Sequence, residues 1–215
     1  RQRQMCIRDS IPVEWLEKWL SGALNHVEDP MKNLGKKDQY IKAAVRGQED
    51  TQLYHVGIYR FNVQNGLYII AGYNKADDLQ LLENLLSAIS YTGIGGKKGS
   101  GLGRFAWEEA KKGTDFLMKY LNQESEIKML LSGAFPQEKE LDQSLEGASY
   151  LLNKRSGYVA SEFYAEEYRR KRDLYVFAAG SCFKNEFEGD IYDVTNGGSH
   201  PVYRYAKPLF MGVPR

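Results

Sequence analysis

The stretch HVGIYRFNVQNGLYIIAGY at residues 55–73 contains the pattern that decides the fold class. His55 to Val63 alternates between apolar and polar residues, as a half-buried strand does. Asn65-Gly66 is a dipeptide that favours a two-residue hairpin turn, and Leu67 to Tyr73 resumes the strand pattern. We therefore predict two antiparallel strands joined by a tight turn.

The elements that follow this hairpin extend it into a larger unit. Asp77-Asp78 opens a predicted helix, a glycine-rich loop follows, and Arg104 to Trp107 resumes as a strand. The apolar residues of the helix share one face: Leu79, Leu82, Leu85, Leu86 and Ile89. Strand, turn, strand, helix, loop and strand together form the later part of a ferredoxin-like βαββαβ unit.

The residues before the hairpin do not supply the strand and helix that open such a unit. Ile11 to Leu20 is predicted to be a short helix, and Asn25 to Asp50 a polar loop. We therefore expect the chain to begin inside a domain and to leave a strand edge and apolar surface uncovered. Arg1 to Ser10 lacks periodicity and is interpreted as foreign or artefactual sequence, with a frayed native terminus as the alternative.

A second unit begins after a polar-rich helical connection at Gly113 to Glu126. Pro201 and Pro208 indicate that its last strand is interrupted or lies at a sheet edge. We predict an α+β protein of two tandem ferredoxin-like (RRM-like) domains, residues 1–112 and 113–215, with the first incomplete at its N-terminus. The second domain is predicted to contain a helix at 140–147 and strands at 128–132, 150–155, 174–183, 190–194 and 201–211.

Charge and composition exclude several classes of protein. The formal net charge is only +1, whereas proteins that coat nucleic acid by charge alone carry a strong basic excess. RNA binding would therefore use local patches, with help from partner subunits. No segment approaches the roughly 18 consecutive apolar residues of a membrane helix, so we expect a cytoplasmic protein. Cys6 and Cys182 are too few for a disulfide framework or a structural zinc site.

The glycine-rich loop is the segment most suited to binding. Six glycines fall within the eleven residues from Gly93 to Gly103. Glycine permits positive φ and close approach of another backbone, which suits a loop that wraps a phosphate chain. Lys97, Lys98 and Arg104 add charged donors. The predicted RNA-binding residues of the loop are Gly93, Gly95, Gly96, Lys97, Lys98, Gly99, Ser100, Gly101, Gly103 and Arg104. The alternative is a flexible connection that uses glycine for length.

Better-known phosphate-binding loops do not fit this spacing. The P-loop pattern GxxxxGK[ST] is absent. The dinucleotide pattern GxGxxG fails twice, because position 98 is lysine and position 104 is arginine; a kinase loop fails for the same reason. This loop also follows a helix and precedes a predicted strand, whereas dinucleotide and P-loop glycines open a helix.

The end of the loop, Gly101-Leu-Gly-Arg-Phe105, resembles the GxGxF ending of the glycine-rich signature of the RAMP superfamily of CRISPR proteins. Further segments resemble one family within it, the Cas5-group subunits formed by the fourth Csm protein of type III-A CRISPR interference complexes. The resemblance spans about Ile11 to Val213. The matching segments are KRSGYVAS at 154–161, FAAGSC at 177–182, FEGDIYDV at 187–194 and HPVYRYAKP at 200–208.

The resemblance implies a fold, a ligand and partners. It implies tandem RAMP domains that hold the 5′ handle of the CRISPR RNA in antiviral defence. It also implies docking on the large polymerase-like subunit and beside a neighbouring RAMP backbone subunit, with no membrane contact and no cofactor or metal. Family members carry an N-terminal segment that this chain lacks.

Four residues outside the loop complete the predicted RNA-binding set. Lys154 and Arg155 end a predicted strand just before Gly157, with a solvated strand end as the alternative. His200 and Arg204 belong to the last family-like segment. The basic run Arg169-Arg-Lys-Arg172 contacts RNA, contacts an acidic partner surface or is simply solvated.

Aromatic residues of the first unit offer a further possibility for stacking. Tyr59, Phe61 and Tyr68 lie on the predicted strands where RNA-recognition sheets stack bases. The signature of such sheets is absent, and the alternative is a packed core.

We expect no catalytic residues in this chain. His26, His55 and His200 share no metal-binding spacing, and Glu188, Asp190 and Asp193 surround a Gly189 turn as ordinary exposed carboxylates. The first hypothesis is a guide-RNA-binding scaffold subunit. The alternatives are a Cas6-like endonuclease that processes the guide precursor, and a protein–protein adaptor whose loop packs on a partner.

Overall fold

The structure is a computed structural model, and it describes residues 15–23, 33–44, 52–63, 65–95, 97–110, 115–161 and 163–213. Arg1 to Ser10, interpreted above as foreign sequence, lies outside these ranges, as does Gly96. The chain divides into two compact units. One contains the described residues between 26 and 112. The other contains residues 15–23, which include the short helix α1 (Leu16–Leu20), together with those from 115 to 213.

The first unit contains a long hairpin that was not predicted. Strand β1 (Gly35–Ala44) pairs antiparallel with β2 (Gln52–Phe61) over its full length, from Gly35↔Phe61 to Ala44↔Gln52. The prediction of a polar loop at 25–50 is therefore wrong over the described residues 35–44. Residues 35–43 are exposed or half-buried, so no buried face imposes an alternating pattern on the strand. Its ladder of hydrogen bonds with β2 defines it instead.

The predicted partner of β2 is not a strand. Leu67 to Tyr73 and Arg104 to Trp107 are both irregular, so these two strand predictions are wrong. The side-chain amides of Asn62 and Asn65 donate to the carbonyl oxygen of Asn33, at 2.9 and 2.6 Å. The segment after β2 is thereby tied to the start of β1, whereas a two-residue hairpin turn would return the chain along β2.

The predicted helix of the first unit is confirmed as α2 (Ala76–Thr92). The backbone N–H of Lys75 donates to the carboxylate of Asp78 at 3.2 Å, and two aspartates in the first turn favour the positive end of the helix dipole. The helix ends at Gly93, whose φ is +83°.

The second unit contains two helices and seven short strands among its described residues after 114. They are α3 (Asp115–Leu121), β3 (Lys128–Leu130), α4 (Leu141–Leu145), β4 (Leu152–Arg155), β5 (Leu174–Phe177), β6 (Cys182–Phe183), β7 (Ile191–Asp193), β8 (Tyr203–Tyr205) and β9 (Phe210–Gly212). A 3-10 turn, Glu138–Glu140, leads into α4. All strand pairs are antiparallel, in the order β6-β3-β9 for one sheet and as the pairs β4-β5 and β7-β8.

Most elements predicted for this unit are confirmed, but two predicted strands are divided. The strand predicted at 174–183 becomes β5 and β6, because the chain turns at Gly180, where φ is +88°. The strand predicted at 201–211 becomes β8 and β9, an interruption that Pro201 and Pro208 indicated.

Two hydrophobic clusters surround the three-stranded sheet. Leu130 contributes to a cluster with Phe177, Phe183 and Phe187, in which the rings of Phe183 and Phe187 meet edge-on with centroids 5.4 Å apart. Met129 belongs to the other cluster, as expected for consecutive strand residues that point to opposite faces.

Helix α1 packs in the second cluster. Leu16 and Leu20, one helical turn apart, contact the buried set of Tyr120, Met129 and Met211. The Tyr120 hydroxyl donates to Glu17 at 3.4 Å. The sequence analysis grouped this helix with residues up to 112, whereas it packs with the unit that follows residue 112. The whole is a mixed α/β fold with antiparallel sheets.

Candidate nucleic-acid interface

The glycine-rich segment is closed at its base by backbone hydrogen bonds. Helix α2 ends as Gly93 donates its N–H to the carbonyl of Ile89 at 2.7 Å. The N–H of Ile94 then donates to the carbonyl of Gly103 at 2.9 Å, and Phe105 donates to Ser90 at 3.3 Å. Both ends of the loop are therefore held against the last turn of the helix.

The neck of this loop has room only for glycine. Gly93 and Gly103 have φ of +83° and +79°, a region that other residues enter at a cost. A Cβ on Gly93 would lie 2.7 Å from the carbonyl oxygen of Leu102, and one on Gly103 would overlap the carbonyl of Ile94. Side chains at these two positions would push the two sides of the neck apart.

The tip of the loop is a single turn of 3-10 helix, Lys98–Ser100. Ser100 donates to the carbonyl of Lys97 at 3.0 Å, and Gly101, with φ +79°, donates to that of Lys98 at 2.9 Å. All residues from Lys97 to Gly101 are exposed, as is Gly95.

The loop cations are available to a ligand. The side chains of Lys97, Lys98 and Arg104 are exposed, and none forms an ion pair or hydrogen bond with a residue in the described part of the chain. Charged donors on a rigid, solvent-facing turn are suited to phosphate oxygens. The loop thus brings together nine of its ten predicted site residues, Gly96 being the one outside the described ranges.

Lys154 is differently situated, because its charge already has a partner. Its ammonium lies 2.6 Å from the carboxylate of Asp173, and it also lies 5.9 Å from the centre of the Tyr175 ring. The hydrogen bond that it donates to Asp173 raises the pKa of Lys154. Sequence reasoning missed Asp173; the signal was an acidic residue directly after the basic run. Arg155, next along β4, forms no ion pair with any described residue, and its guanidinium lies against Gly133.

His200 joins two of the family-like segments. Its Nε2 lies 3.0 Å from the hydroxyl of Ser161, and its Nδ1 lies 3.0 Å from the carbonyl of Pro201. A carbonyl only accepts, so Nδ1 carries the proton and the neutral ring accepts from Ser161. The ring also meets Tyr164 edge-on at 5.1 Å. His200 therefore holds residues 158–164 against residues 195–202.

Arg204 lies at the middle of β8, opposite Tyr192 of β7. It is half-buried and has no ion-pair partner among the residues that the structure describes. It belongs to the same unit as Lys154, Arg155 and His200, whereas the glycine-rich loop belongs to the other unit.

The acidic residues near Gly189 are occupied by local backbone contacts. Asp193 accepts from the N–H of Thr195 at 2.7 Å, and Asp190 accepts from that of Ile191 at 2.8 Å. The backbone N–H groups of Glu188 and Gly189 donate to Glu140. Within the described ranges, no three His, Cys, Asp or Glu side chains are grouped so as to hold a metal ion.

No helix in the described part of the chain is long and apolar enough to cross a membrane.

Comparison with known proteins identifies relatives over most of the chain. A family model described as the CRISPR Csm4 C-terminal domain matches residues 123–213. "CRISPR system Cms protein Csm4" of Mycobacterium tuberculosis is 39% identical over 207 residues, covering 95% of this chain and 67% of that protein. The protein of the same name from Streptococcus thermophilus is 40% identical over 194 residues, covering 87% of this chain and 63% of that protein.

A solved structure shares the fold. It is a chain in the crystal structure of a Csm3–Csm4 subcomplex of the type III-A CRISPR-Cas interference complex, with a TM-score of 0.53 and 24% identity. The match covers 95% of this chain and 62% of that one. The chain thus spans about two thirds of the length of the curated relatives it matches.

Proposed function

The chain belongs to the Csm4 family of CRISPR proteins, and from this premise we propose that it is a non-catalytic RNA-binding subunit of a type III-A effector complex. It holds the 5′ handle of the CRISPR RNA and docks on the large polymerase-like subunit, beside a neighbouring RAMP backbone subunit, in cytoplasmic antiviral defence. Tandem ferredoxin-like RAMP domains are part of the same proposal.

The observation that carries the proposal is the closed glycine-rich loop. Its neck is held by the Ile94–Gly103 hydrogen bond, and its tip presents Lys97 and Lys98 to solvent without partners among the described residues. Binding to such a preformed turn costs little ordering of the protein. Exposed backbone and lysine donors recognise the sugar–phosphate chain and not base identity, as expected for a subunit that holds a guide.

The second unit contributes the remaining contacts. Arg155 and Arg204 have no ion-pair partner in the described structure, so their guanidinium groups are available for bidentate phosphate contacts. His200 acts by holding the family-like segments 154–161 and 200–208 in place through Ser161. Lys154 contributes less, because RNA must compete with Asp173 for its charge.

Two features of the residues support a non-catalytic role. Both ring nitrogens of His200 are engaged, one with the Pro201 carbonyl and the other with Ser161, so a proton-transfer role would require breaking these contacts. Asp190 and Asp193 accept hydrogen bonds from neighbouring backbone N–H groups. Partner docking is supported by the fold match, since that chain was solved as a Csm3–Csm4 subcomplex.

The test is binding of a labelled CRISPR-repeat 5′ handle to the protein, alone and with the large subunit, over a series of salt concentrations. The variant carries Lys97→Ala, Lys98→Ala and Arg104→Ala. A matched control removes three exposed lysines elsewhere, through Lys18→Ala, Lys139→Ala and Lys184→Ala. We expect the loop variant to bind more weakly, with a salt slope smaller by roughly one for each phosphate that it no longer neutralises. The control should stay near wild type.

Two results would contradict the proposal. Equal handle binding by the loop variant and the control would mean that the loop packs on a protein partner. Cleavage of repeat RNA by the wild-type protein, read on the same gel, would instead identify a nuclease.

A further inference from the structure

Strand β8 presents two exposed aromatic rings on one face. Tyr203 and Tyr205 are 62% and 67% exposed, whereas Arg204 between them is half-buried. Their cross-strand neighbours on β7 are Asp193 and Ile191. Large exposed aromatics on a short strand contribute nothing to the hydrophobic cores of this unit, which points to a binding role.

The spacing of these tyrosines suits a nucleobase. Residues two apart on a strand share a face and lie about 6.8 Å apart, at roughly 3.4 Å per residue. Stacked bases are separated by about 3.4 Å. Two rings on Tyr203 and Tyr205 therefore leave space for one flat base between them, with a ring on either side.

The basic run Arg169–Arg172 lies beside the same hairpin. The backbone N–H of Arg172 donates to the carbonyl of Val194 at 2.8 Å, and its guanidinium donates to the carbonyl of Asp193 at 3.0 Å. The side-chain amide of Asn196 donates to the carbonyl of Arg170 at 2.9 Å. The run is thus fastened to the end of β7 where Tyr203 faces Asp193.

The charges of this surface favour an anionic ligand. The two aspartates next to the run are already paired, Asp173 with Lys154 and Asp193 with Arg172 at 3.7 Å. Arg170 and Lys171 have no ion-pair partner in the described part of the chain. A surplus of cations next to stacked aromatics is the combination that binds single-stranded nucleic acid.

We infer that the β7–β8 face and the basic run form a second RNA-binding surface, distinct from the glycine-rich loop, which stacks an unpaired base between Tyr203 and Tyr205 while Arg170 and Lys171 bind the flanking phosphates. This inference rests on the proposed function, since it concerns the same class of ligand. Stacking is tolerant of base identity, so the surface immobilises a single strand without reading its sequence.

The test uses handle RNA that carries 2-aminopurine at successive positions, because stacking on an aromatic ring quenches its fluorescence. Tyr203→Ala and Tyr205→Ala are compared with Tyr203→Phe and Tyr205→Phe, which keep the rings. Tyr73→Ala, an exposed tyrosine of the other unit, is the control. We expect quenching at one position in wild type and in the phenylalanine variants, and its loss with alanine. Affinity should fall about 5- to 150-fold for each stacking ring removed.

The outcomes separate this inference from the proposed function. If wild type fails to bind the handle, both fail. If the loop variant no longer binds but the tyrosine-to-alanine variants keep wild-type affinity and quenching, only the second surface is refuted. If those variants bind RNA normally but no longer bind the neighbouring RAMP subunit in a pull-down, the face is a protein-docking surface and the inference is overturned. Replacing Arg170 and Lys171 by alanine should lower the salt slope.

Discussion

Ile94 donates its backbone N–H to the carbonyl oxygen of Gly103 at 2.9 Å, and this hydrogen bond closes the neck of the glycine-rich loop. It joins residues nine positions apart in the sequence and sets the direction in which the tip leaves helix α2. The glycines of the segment therefore do not form a uniform flexible connection. Those at the neck permit close contact between backbones, whereas those at the tip lie in open space.

This difference predicts unequal effects of the same substitution within one loop. Gly103→Ala places a methyl group on the Ile94 carbonyl and forces alanine into positive φ, so we expect the neck to open and handle affinity to fall about tenfold or more. Gly99→Ala meets nothing within 4 Å and should bind within about twofold of wild type. Titration of labelled handle RNA measures both. Equal affinities for the two variants would show that the neck geometry is irrelevant to binding.

The aromatic cluster of the second unit should dominate its stability. Phe183 is fully buried between Phe177, Phe187 and Phe210, so Phe183→Ala should lower the free energy of unfolding by about 3–5 kcal/mol. Phe163→Ala is the matched control, because that ring is 87% exposed, and it should change the free energy by less than about 0.5 kcal/mol. Chemical denaturation of both variants makes the comparison. A small effect at Phe183 would mean that the cluster is not a packed core.

Glu140 links stability to pH. Burial acts to raise its pKa, but hydrogen bonds from the backbone N–H groups of Glu188, Gln137 and Gly189 outweigh it, and the pKa lies below its ordinary value of 4.5. A depressed folded pKa stabilises the fold fully above the unfolded pKa, and this contribution is lost as the pH falls through the folded pKa. We expect acidification below about pH 4.5 to weaken the contact between the 3-10 turn and residues 188–189.

Glu140→Gln tests this linkage. The variant keeps one accepting oxygen but turns an amide towards a backbone donor, so the free energy of unfolding at pH 7 should fall by about 1–3 kcal/mol. Its stability should then decline less than that of wild type between pH 6 and pH 3, within the range where a carboxyl titrates (about pH 3–5). Parallel pH profiles of the two proteins would rule out Glu140 as the titrating group.

The ion pair between Lys154 and Asp173 predicts a gain of RNA affinity on removal of an acid. Asp173→Asn releases the Lys154 ammonium, now 2.6 Å from the carboxylate, so handle binding should tighten at low salt. Lys154→Ala should reduce affinity more in the Asp173→Asn background than in wild type. Asp142→Asn, at an exposed aspartate of α4, controls for the change in net charge. Identical reductions in the two backgrounds would mean that the pair does not compete with RNA.

Local patterns were sufficient for several parts of the fold. Helix α2 was predictable because two aspartates precede a regular apolar face, and its end was marked by Gly93. The division between β8 and β9 was indicated by Pro201 and Pro208. The glycine-rich loop was located by composition alone, since so many glycines with interspersed cations suit few other structures.

Other parts depended on contacts between distant residues. Strand β1 has no apolar alternation, and it forms because β2 offers a complete edge of hydrogen-bonding partners. For the same reason Leu67 to Tyr73, which has the better strand pattern, remains irregular. The engagement of Lys154 was equally hidden, because Asp173 reaches it only when β4 and β5 pair.

The sequence by itself determined which family this chain belongs to, where helix α2 lies and where the glycine-rich loop interrupts the chain, because these depend on residues close together along the backbone. Tertiary structure alone decided which strand pairs with β2, which unit receives helix α1 and which cations remain free for RNA. These depend on hydrogen bonds and ion pairs between residues far apart in sequence, whose energies exceed the local preferences of the segments they join.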